Sequence, residues 1–158
     1  MIKNPVLYQK IFVKKKLSNE EFKLYQYFHE ITSVSPENII LQNNFIFFLV
    51  KKEDYFKAKI FLKKLRRQLK PKKIMIIRAE STLINFLFSL FPDVYIHDIK
   101  HKKDNTIIIH FIIYEERGIA IGKDGAYIKS VNAIFEKYII PIKIKCVFLD
   151  INEKKEYF

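Results

Sequence analysis

The chain of 158 residues contains one cysteine, no tryptophan and only three glycines. A single cysteine, Cys146, excludes an internal disulfide and a zinc site built from cysteines. No window reaches the roughly 18 apolar residues that a membrane-spanning helix needs, and the opening residues do not predict a signal peptide. We therefore expect a protein that stays out of the membrane and resides in the cytoplasm.

Acidic residues are scarce relative to basic ones. Lys and Arg number 29 against 17 Asp and Glu, which gives a formal net charge of +12 and a pI near 9.6. A surface of this sign attracts polyanions, of which nucleic acid is the usual one, although an anionic membrane would be attracted too. Most of the basic residues are lysines, which suit phosphate contact better than the bidentate reading of bases.

The order of predicted helices and strands repeats once along the chain. A capping box at Ser18 and Glu21 predicts the start of the first helix, and apolar runs around Asn-rich turns predict hairpins. The predicted elements are a helix from Ser18, strands at 38–41 and 45–50, a basic helix at 54–69, a strand at 74–77, a helix at 81–91, strands at 94–99 and 106–114, a glycine loop, a helix at 126–138 and a strand at 142–149. We interpret this as two copies of helix–strand–strand–helix–helix–strand.

This repeat predicts an α+β fold with two tandem domains, each holding a small three-stranded sheet. The predicted parts are a basic lead-in at 1–17, a first domain at 18–78, a second domain at 79–150 and a tail at 151–158. A half of about 60–70 residues is marginal as an independent domain. We therefore expect the two halves to share an interface.

All three glycines of the chain lie within eight residues. Glycine is placed where the backbone needs a positive φ or must approach another molecule closely. The segment 117–129 is predicted to lead from a strand, through a loop, into a helix that begins at Ala126. The first N–H groups of that helix would attract an anion, and Lys123 and Lys129 would add cations.

The isoleucines around the glycines are expected to line a groove for bases. The pattern Ile-Gly-x-x-Gly-x-x-Ile then predicts a clamp for about four nucleotides of single-stranded RNA. The alternative is a turn between two helices that needs glycine only for its own geometry. The residues predicted to contact RNA are Arg117, Gly118, Ile119, Ile121, Gly122, Lys123, Asp124, Gly125, Ile128 and Lys129.

The segment 116–129, Glu-Arg-Gly-Ile-Ala-Ile-Gly-Lys-Asp-Gly-Ala-Tyr-Ile-Lys, resembles the second domain of the archaeal NusA-like transcription factors. The likeness extends to the opening Leu-Ser-Asn-Glu-Glu-Phe at 17–22 and to 79–98, so it covers about 17–149. It implies two tandem type II K-homology domains, binding of single-stranded RNA, and a role in transcription elongation or termination beside RNA polymerase. We expect a monomer with no enzymatic activity, no cofactor and no metal site.

The chain departs from this family in two places. Where the first domain should carry its own Gly-x-x-Gly, the sequence after Val50 is Lys-Lys-Glu-Asp-Tyr-Phe-Lys-Ala-Lys, and this segment is about six residues shorter than its counterpart. The first clamp is therefore predicted to be lost. In the second loop, the carboxylate of Asp124 is expected to weaken phosphate binding by about 1 kcal/mol.

The segment 51–73 has eleven basic residues against two acidic ones. We predict that this basic face contacts RNA backbone beyond the second domain's groove; the alternative is a solvated helix face. The candidate residues are Lys59, Lys63, Arg66 and Arg67.

Other functions suggested by the residues are weaker. Four histidines, at 29, 97, 101 and 110, suggest a metal site, but His97 and His101 are predicted to share one face of a hairpin without a third ligand of a suitable type, so no metal site is predicted. The phenylalanines at 45, 47, 48, 86, 88 and 91 are predicted to form core. Two alternatives to a transcription factor remain open: a ribosome-associated K-homology protein, and a protein–protein adaptor with a weakened RNA groove.

Overall fold

A computed structural model describes residues 5–152 of the chain. Residues 1–4 of the predicted lead-in and 153–158 of the predicted tail lie outside the described residues. Within 5–152, no helix combines the length and apolar character needed to cross a membrane. The helices and strands are α1 (Asn19–Thr32), β1 (Asn38–Gln42), β2 (Phe45–Val50), α2 (Tyr55–Lys59), α3 (Leu62–Gln68), β3 (Lys73–Arg78), α4 (Leu83–Leu90), β4 (Asp98–Lys102), β5 (Thr106–Phe111), α5 (Tyr114–Ile121), α6 (Ala126–Tyr138) and β6 (Lys143–Phe148).

The fold is α+β, with one three-stranded mixed sheet in each half. The strand orders are β1-β2-β3 and β4-β5-β6. In both sheets the middle strand is antiparallel to the first strand and parallel to the third. Each half therefore has the predicted order of helices and strands, and single turns of 3-10 helix precede α2 and α6.

Local sequence signals place the ends of several elements. The Ser18 hydroxyl accepts a hydrogen bond from the Glu21 N–H at 3.2 Å, and the Glu21 carboxylate accepts one from the Ser18 N–H at 2.9 Å. This confirms the predicted capping box at the start of α1. In the hairpin turns Asn43, Asp104 and Asn105 have φ values of 53°, 64° and 56°, a conformation that short polar residues tolerate.

The first sheet is buried on both faces. Phe45 and Phe47 contact the second half, with ring centroids 5.3 and 6.0 Å from that of Tyr127. The alternate residues Ile46 and Phe48 belong to a separate cluster with α1, α2 and α3. This explains why all six residues of β2 are apolar and buried, as strands covered on both faces are. The two halves thus share the first of two hydrophobic clusters, which is the interface that their small size predicted, and the second cluster belongs to the first half alone.

By the residues that the structure describes, 5–152, the second sheet is covered on one face only. Its residues Ile107, Ile109 and Phe111 are buried in the shared core. On the other face Ile108 lies between Lys100 and Lys145 in the strand register, and both lysines are exposed.

The described part of the lead-in packs against the second half. The N–H groups of Leu83 and Ile84 donate to the carbonyls of Gln9 and Leu7 at 3.0 and 2.8 Å, and Leu7 is buried. Its end reaches the first half, because Lys15 forms an ion pair with Glu21 in which both side chains are over nine-tenths buried.

Several predicted boundaries were wrong. The basic helix at 54–69 is two helices that meet at Ile60 and Phe61. The strand at 94–99 begins only at Asp98, and the strand at 106–114 ends at Phe111. Of the phenylalanines predicted to be core, Phe88 is 38% exposed.

Candidate nucleic-acid interface

The glycine-rich segment lies between two helices. Residues 114–121, predicted to be the end of a strand and the start of a loop, form α5, so the predicted strand–loop–helix placement was wrong. The tertiary contacts of α5 explain the difference: Ala120 is buried in the core, and the Tyr114 ring packs edge-on against Phe148 with centroids 5.5 Å apart. These contacts outweigh the poor helix propensity of a glycine and two isoleucines.

The turn from α5 to α6 has three residues with positive φ. Gly122 ends α5 with φ 79° and ψ 169°, a region that only glycine enters readily. Asp124 and Gly125 follow with φ 55° and 73°. The Gly122 N–H donates to the Gly118 carbonyl at 2.9 Å, and the Gly125 N–H donates to the Gly122 carbonyl at 3.1 Å. The turn is thus tight and is closed by its own backbone hydrogen bonds.

The three glycines have different structural reasons. A Cβ on Gly122 would lie 2.9 Å from the Cβ and the backbone nitrogen of Tyr127, whereas one on Gly125 would lie 3.6 Å from Lys129 Cε. A Cβ on Gly118 would meet no atom of the described part of the chain within 4 Å, and this residue is in α5 rather than in the predicted loop. Folding therefore requires glycine at 122, favours it at 125, and does not need it at 118.

The tip of the turn is open to solvent and carries two cations and one carboxylate. Lys123 and Asp124 are exposed, and the Lys129 ammonium donates to the Asp124 carbonyl at 3.3 Å. Among residues 5–152, no side chain caps the N-terminus of α6, so its dipole is available to an anion. The structure thus brings two cations and one helix N-terminus to the same exposed corner.

The remaining predicted contacts are divided between two sides of the turn. Ile121 and Ile128 are partly buried against the shared core, whereas Ile119 is 63% exposed. The Arg117 Nε donates to the Cys146 carbonyl at 3.3 Å, which attaches α5 to the outer edge of β6. Ile119 therefore does not share one groove with both of the other isoleucines.

Ile119 opens onto a space between the two halves, which we call the inter-half cleft. Its cavity volume is about 240 Å³. The Tyr127 hydroxyl donates to the Leu90 carbonyl in its wall, and burial raises the pKa of Tyr127 well above its ordinary value of 10. The residues that line the cleft include Arg66, Lys73, Met75, Asp93, Ile119 and Lys123.

Sequence reasoning found only part of the first half's share of this cleft: Arg66 was among the predicted backbone contacts, whereas Lys73 and Met75 were missed. Lys73 and Met75 lie on β3, and Asp93 lies after α4, so their meeting depends on how the halves pack. The only available signal was that Lys73 ends the basic segment 51–73.

The basic face of the first half is partly engaged within the protein. Lys59 forms an ion pair with Asp93 at 3.4 Å and lies 5.5 Å from the Tyr55 ring centroid. The Nε and Nη2 atoms of Arg66 each lie 3.4 Å from the Ile74 carbonyl oxygen. Lys63 and Arg67 are exposed.

The helix junction of the first half has a different backbone. Ile60 and Phe61 have φ values of −62° and −95°, and no residue between 51 and 72 has a positive φ. The turn seen at 122–125 is therefore absent from this junction, and the loss of a first RNA clamp stays a prediction.

A scan against protein-family models and a search of curated proteins gave no match. Twelve chains of solved structures are similar to this chain. One of them, the crystal structure of APE1850, matches with a TM-score of 0.62 and 27% sequence identity, over 84% of this chain and 100% of that chain. The likeness includes both halves, because 84% of the chain exceeds either half.

Within residues 5–152, no group of three or more His, Cys, Asp or Glu residues is placed to hold a metal ion. Cys146 is buried, and this burial raises the pKa of its thiol to about 12. The arrangement at 117–129 instead offers backbone turns and cations, which suit binding of an anionic chain.

Proposed function

We propose that this protein binds single-stranded RNA through the turn at Gly122–Gly125, as K-homology domains do. The observation that carries the proposal is the exposed corner at which Lys123, Lys129 and the uncapped N-terminus of α6 meet. Each of these features attracts phosphate. The net charge of +12 supports the same class of ligand.

Gly118 gives independent support for a ligand at this surface. A glycine inside an exposed helix destabilises it by about 1 kcal/mol relative to alanine. Nothing in the fold requires this glycine, since a Cβ at 118 would meet open space. A bound RNA strand that passes close to α5 would explain why residue 118 is glycine. Gly122 gives no such support, because the fold itself requires it.

The test is a pair of charge changes at the tip of the turn. Lys123→Asp should weaken binding of a short oligouridylate at least tenfold, because an exposed cation becomes an anion beside the phosphates. Asp124→Asn removes a negative charge and keeps a residue that tolerates positive φ. It should tighten binding about fivefold, which corresponds to about 1 kcal/mol.

Lys23→Asp is the matched control for Lys123→Asp. Lys23 is exposed on α1, and α1 packs on the face of the first sheet that points away from the second half. If all three variants bind RNA as the unchanged protein does, even at low salt, the proposed clamp is wrong.

Gly118→Leu separates binding from folding. Leucine has a higher helix propensity than glycine, so the free energy of unfolding should rise while RNA affinity falls. A variant that is more stable and binds RNA normally would remove Gly118 from the interface.

For the cellular role we propose transcription, and the support is the resemblance of 116–129 to the NusA-like factors. The test is affinity purification of the full chain, followed by detection of RNA polymerase subunits and ribosomal proteins. If the Lys123→Asp variant, in which RNA binding is weakened, still enriches polymerase, this would support a contact with the polymerase protein in addition to the contact with RNA. Enrichment of ribosomal subunits alone would favour the ribosome-associated alternative.

One observation favours an additional protein contact, as an adaptor would have. Phe56 and Ile60 on and just after α2 are 76% and 77% exposed, and their spacing of four residues puts them on one helix face. They lie at the helix junction where the first half lacks a clamp. Replacing both with serine should abolish polymerase capture without changing RNA affinity; unchanged capture would reject this contact.

A further inference from the structure

The inter-half cleft shares two residues with the proposed clamp. Gly122 and Lys123 belong to the turn and also line the cleft. A strand that leaves the turn on this side therefore enters the cleft directly. The opposite wall belongs to the first half, through Arg66 of α3 and Lys73 of β3.

The cleft has an apolar floor and a cationic rim. Its floor includes Phe45 and Phe91, whose ring centroids lie 5.3 and 5.7 Å from that of Tyr127. Its rim carries three cations, from Arg66, Lys73 and Lys123, and one carboxylate, from Asp93. That carboxylate is already paired with Lys59 at 3.4 Å, so the rim attracts an anion.

The two cations of the first half are held in place. Arg66 is directed by two of its nitrogens toward the Ile74 carbonyl, each at 3.4 Å, and a guanidinium has five N–H donors in total. The Lys73 ammonium lies 5.6 Å from the centroid of the Phe45 ring, which places it at the border between floor and rim. Both can meet a phosphate while a flat ring occupies the floor.

The cavity size limits the ligand. A volume of about 240 Å³ is below the range of roughly 300–1,000 Å³ that drug-sized ligands fill, and suits one ring system. Nucleobases are flat, apolar on their faces, and joined to an anionic backbone, which matches an apolar floor under a cationic rim. An acidic peptide would match the rim but would leave the apolar floor unused.

We propose that the inter-half cleft holds the base of one nucleotide of the bound RNA, next to the nucleotides at the turn, with Arg66 and Lys73 on its phosphate. This inference rests on the proposed function. The first half, which lacks a clamp of its own, then contributes to binding as the second wall of this site.

The experiment compares oligouridylates of four and eight nucleotides on the full chain. The variant is Arg66→Gln with Lys73→Gln, which removes two exposed cations and leaves the floor intact. Its affinity for the octamer should fall about tenfold, because two phosphate contacts and the position of one base are lost. Its affinity for the tetramer should change less than twofold, because the turn still holds four nucleotides.

The matched control is Lys16→Gln with Lys23→Gln, which removes the same charge beside and on α1. Equal losses in the variant and this control would mean that net charge alone matters, and would overturn the proposal. The proposal would also be overturned if the Arg66 and Lys73 variant lost equal affinity for tetramer and octamer, or lost none for either. If it lost none but Lys123→Asp weakened the binding of both oligomers, the proposed clamp would still stand.

A second variant narrows the cleft without changing the cations. Met75→Trp adds bulk to a partly buried residue of the cleft wall and should weaken octamer binding selectively. Uridine monophosphate is the probe for a free nucleotide as the ligand. If it binds as tightly as the octamer, and the Arg66 and Lys73 variant loses both equally, the cleft is a mononucleotide site and the proposal is wrong.

Discussion

Replacing each of the three glycines with alanine should change stability in three different ways. Gly122 has φ 79° and ψ 169°, which strains a non-glycine residue by about 1–3 kcal/mol. The added methyl would also lie 2.9 Å from the Tyr127 nitrogen, and overpacking adds about 1–3 kcal/mol. Alanine restricts the unfolded chain by about 0.5 kcal/mol in the other direction. Gly122→Ala should therefore lower the free energy of unfolding by about 3 kcal/mol.

The other two glycines provide internal controls. Gly125→Ala places alanine in the left-handed region, which strains the backbone by about 1 kcal/mol. The added methyl would make only an ordinary van der Waals contact, at 3.6 Å from Lys129, so the free energy of unfolding should fall by about 0.5–1 kcal/mol. Gly118→Ala replaces a helical glycine that faces open space and should raise the free energy of unfolding by about 0.5–1 kcal/mol.

The assay is unfolding in urea, followed by circular dichroism and fitted with a shared slope. For a chain of this length, 1 kcal/mol corresponds to about 2–4 °C in Tm. Thermal scans should thus show a loss of about 9 °C for Gly122→Ala and a gain of about 2 °C for Gly118→Ala. Equal losses at 122 and 125 would refute the clash with α6, and a loss at 118 would refute its place in a helix.

Three further predictions concern other parts of the molecule. Burial of Glu21 opposes ionisation, but hydrogen bonds from Lys15 and the start of α1 hold its pKa below 4.5. The ionised carboxylate therefore stabilises the folded protein above pH 4.5, and this stabilisation is lost as the pH falls through the lowered pKa. Glu21→Gln should lower the free energy of unfolding by about 3 kcal/mol at pH 7 and flatten its pH dependence, measured by urea unfolding, between pH 5 and 3. An unchanged pH profile would count against this. Because burial raises the pKa of Cys146 to about 12, an aromatic disulfide reagent at pH 8 should label it slowly in the folded protein and at once in urea; rapid labelling without urea would contradict the burial. Lys63→Ala with Arg67→Ala should lower the slope of log affinity against log salt by about 1.4 if both contact phosphates, and an unchanged slope would leave them as solvated side chains.

The sequence predicted features whose causes are local. The capping box at Ser18 and the turn at Asn43 depend on residues within four positions of one another, so the pattern contains the whole cause. The repeated order of elements was also accessible, because apolar runs and prolines mark it twice. The positive φ values at 122 and 125 followed from glycine being rare elsewhere.

Features that depend on distant contacts were not accessible. The run Ile-Ile-Tyr at 112–114 has high strand propensity, yet Tyr114 starts α5. The helix is held by contacts with distant residues, since Tyr114 packs against Phe148 and Ala120 is buried in the core. Nothing in 54–69 is a glycine or proline, so no signal marked the break at Ile60. The inter-half cleft required knowledge of which face of β2 and β3 meets the second half.

The burial of the first sheet has a consequence for binding. Because Phe45 and Phe47 pack against Tyr127, and Tyr127 also packs against Gly122, the core that joins the halves continues into the turn. A change that loosens the halves should therefore disturb the turn as well as the cleft. Phe47 lies outside the cleft lining, and Phe47→Ala should lower the free energy of unfolding by about 3–5 kcal/mol. If RNA affinity is then unchanged under conditions where the variant remains folded, the turn holds its shape without the first half, and the coupling inferred from these contacts is wrong.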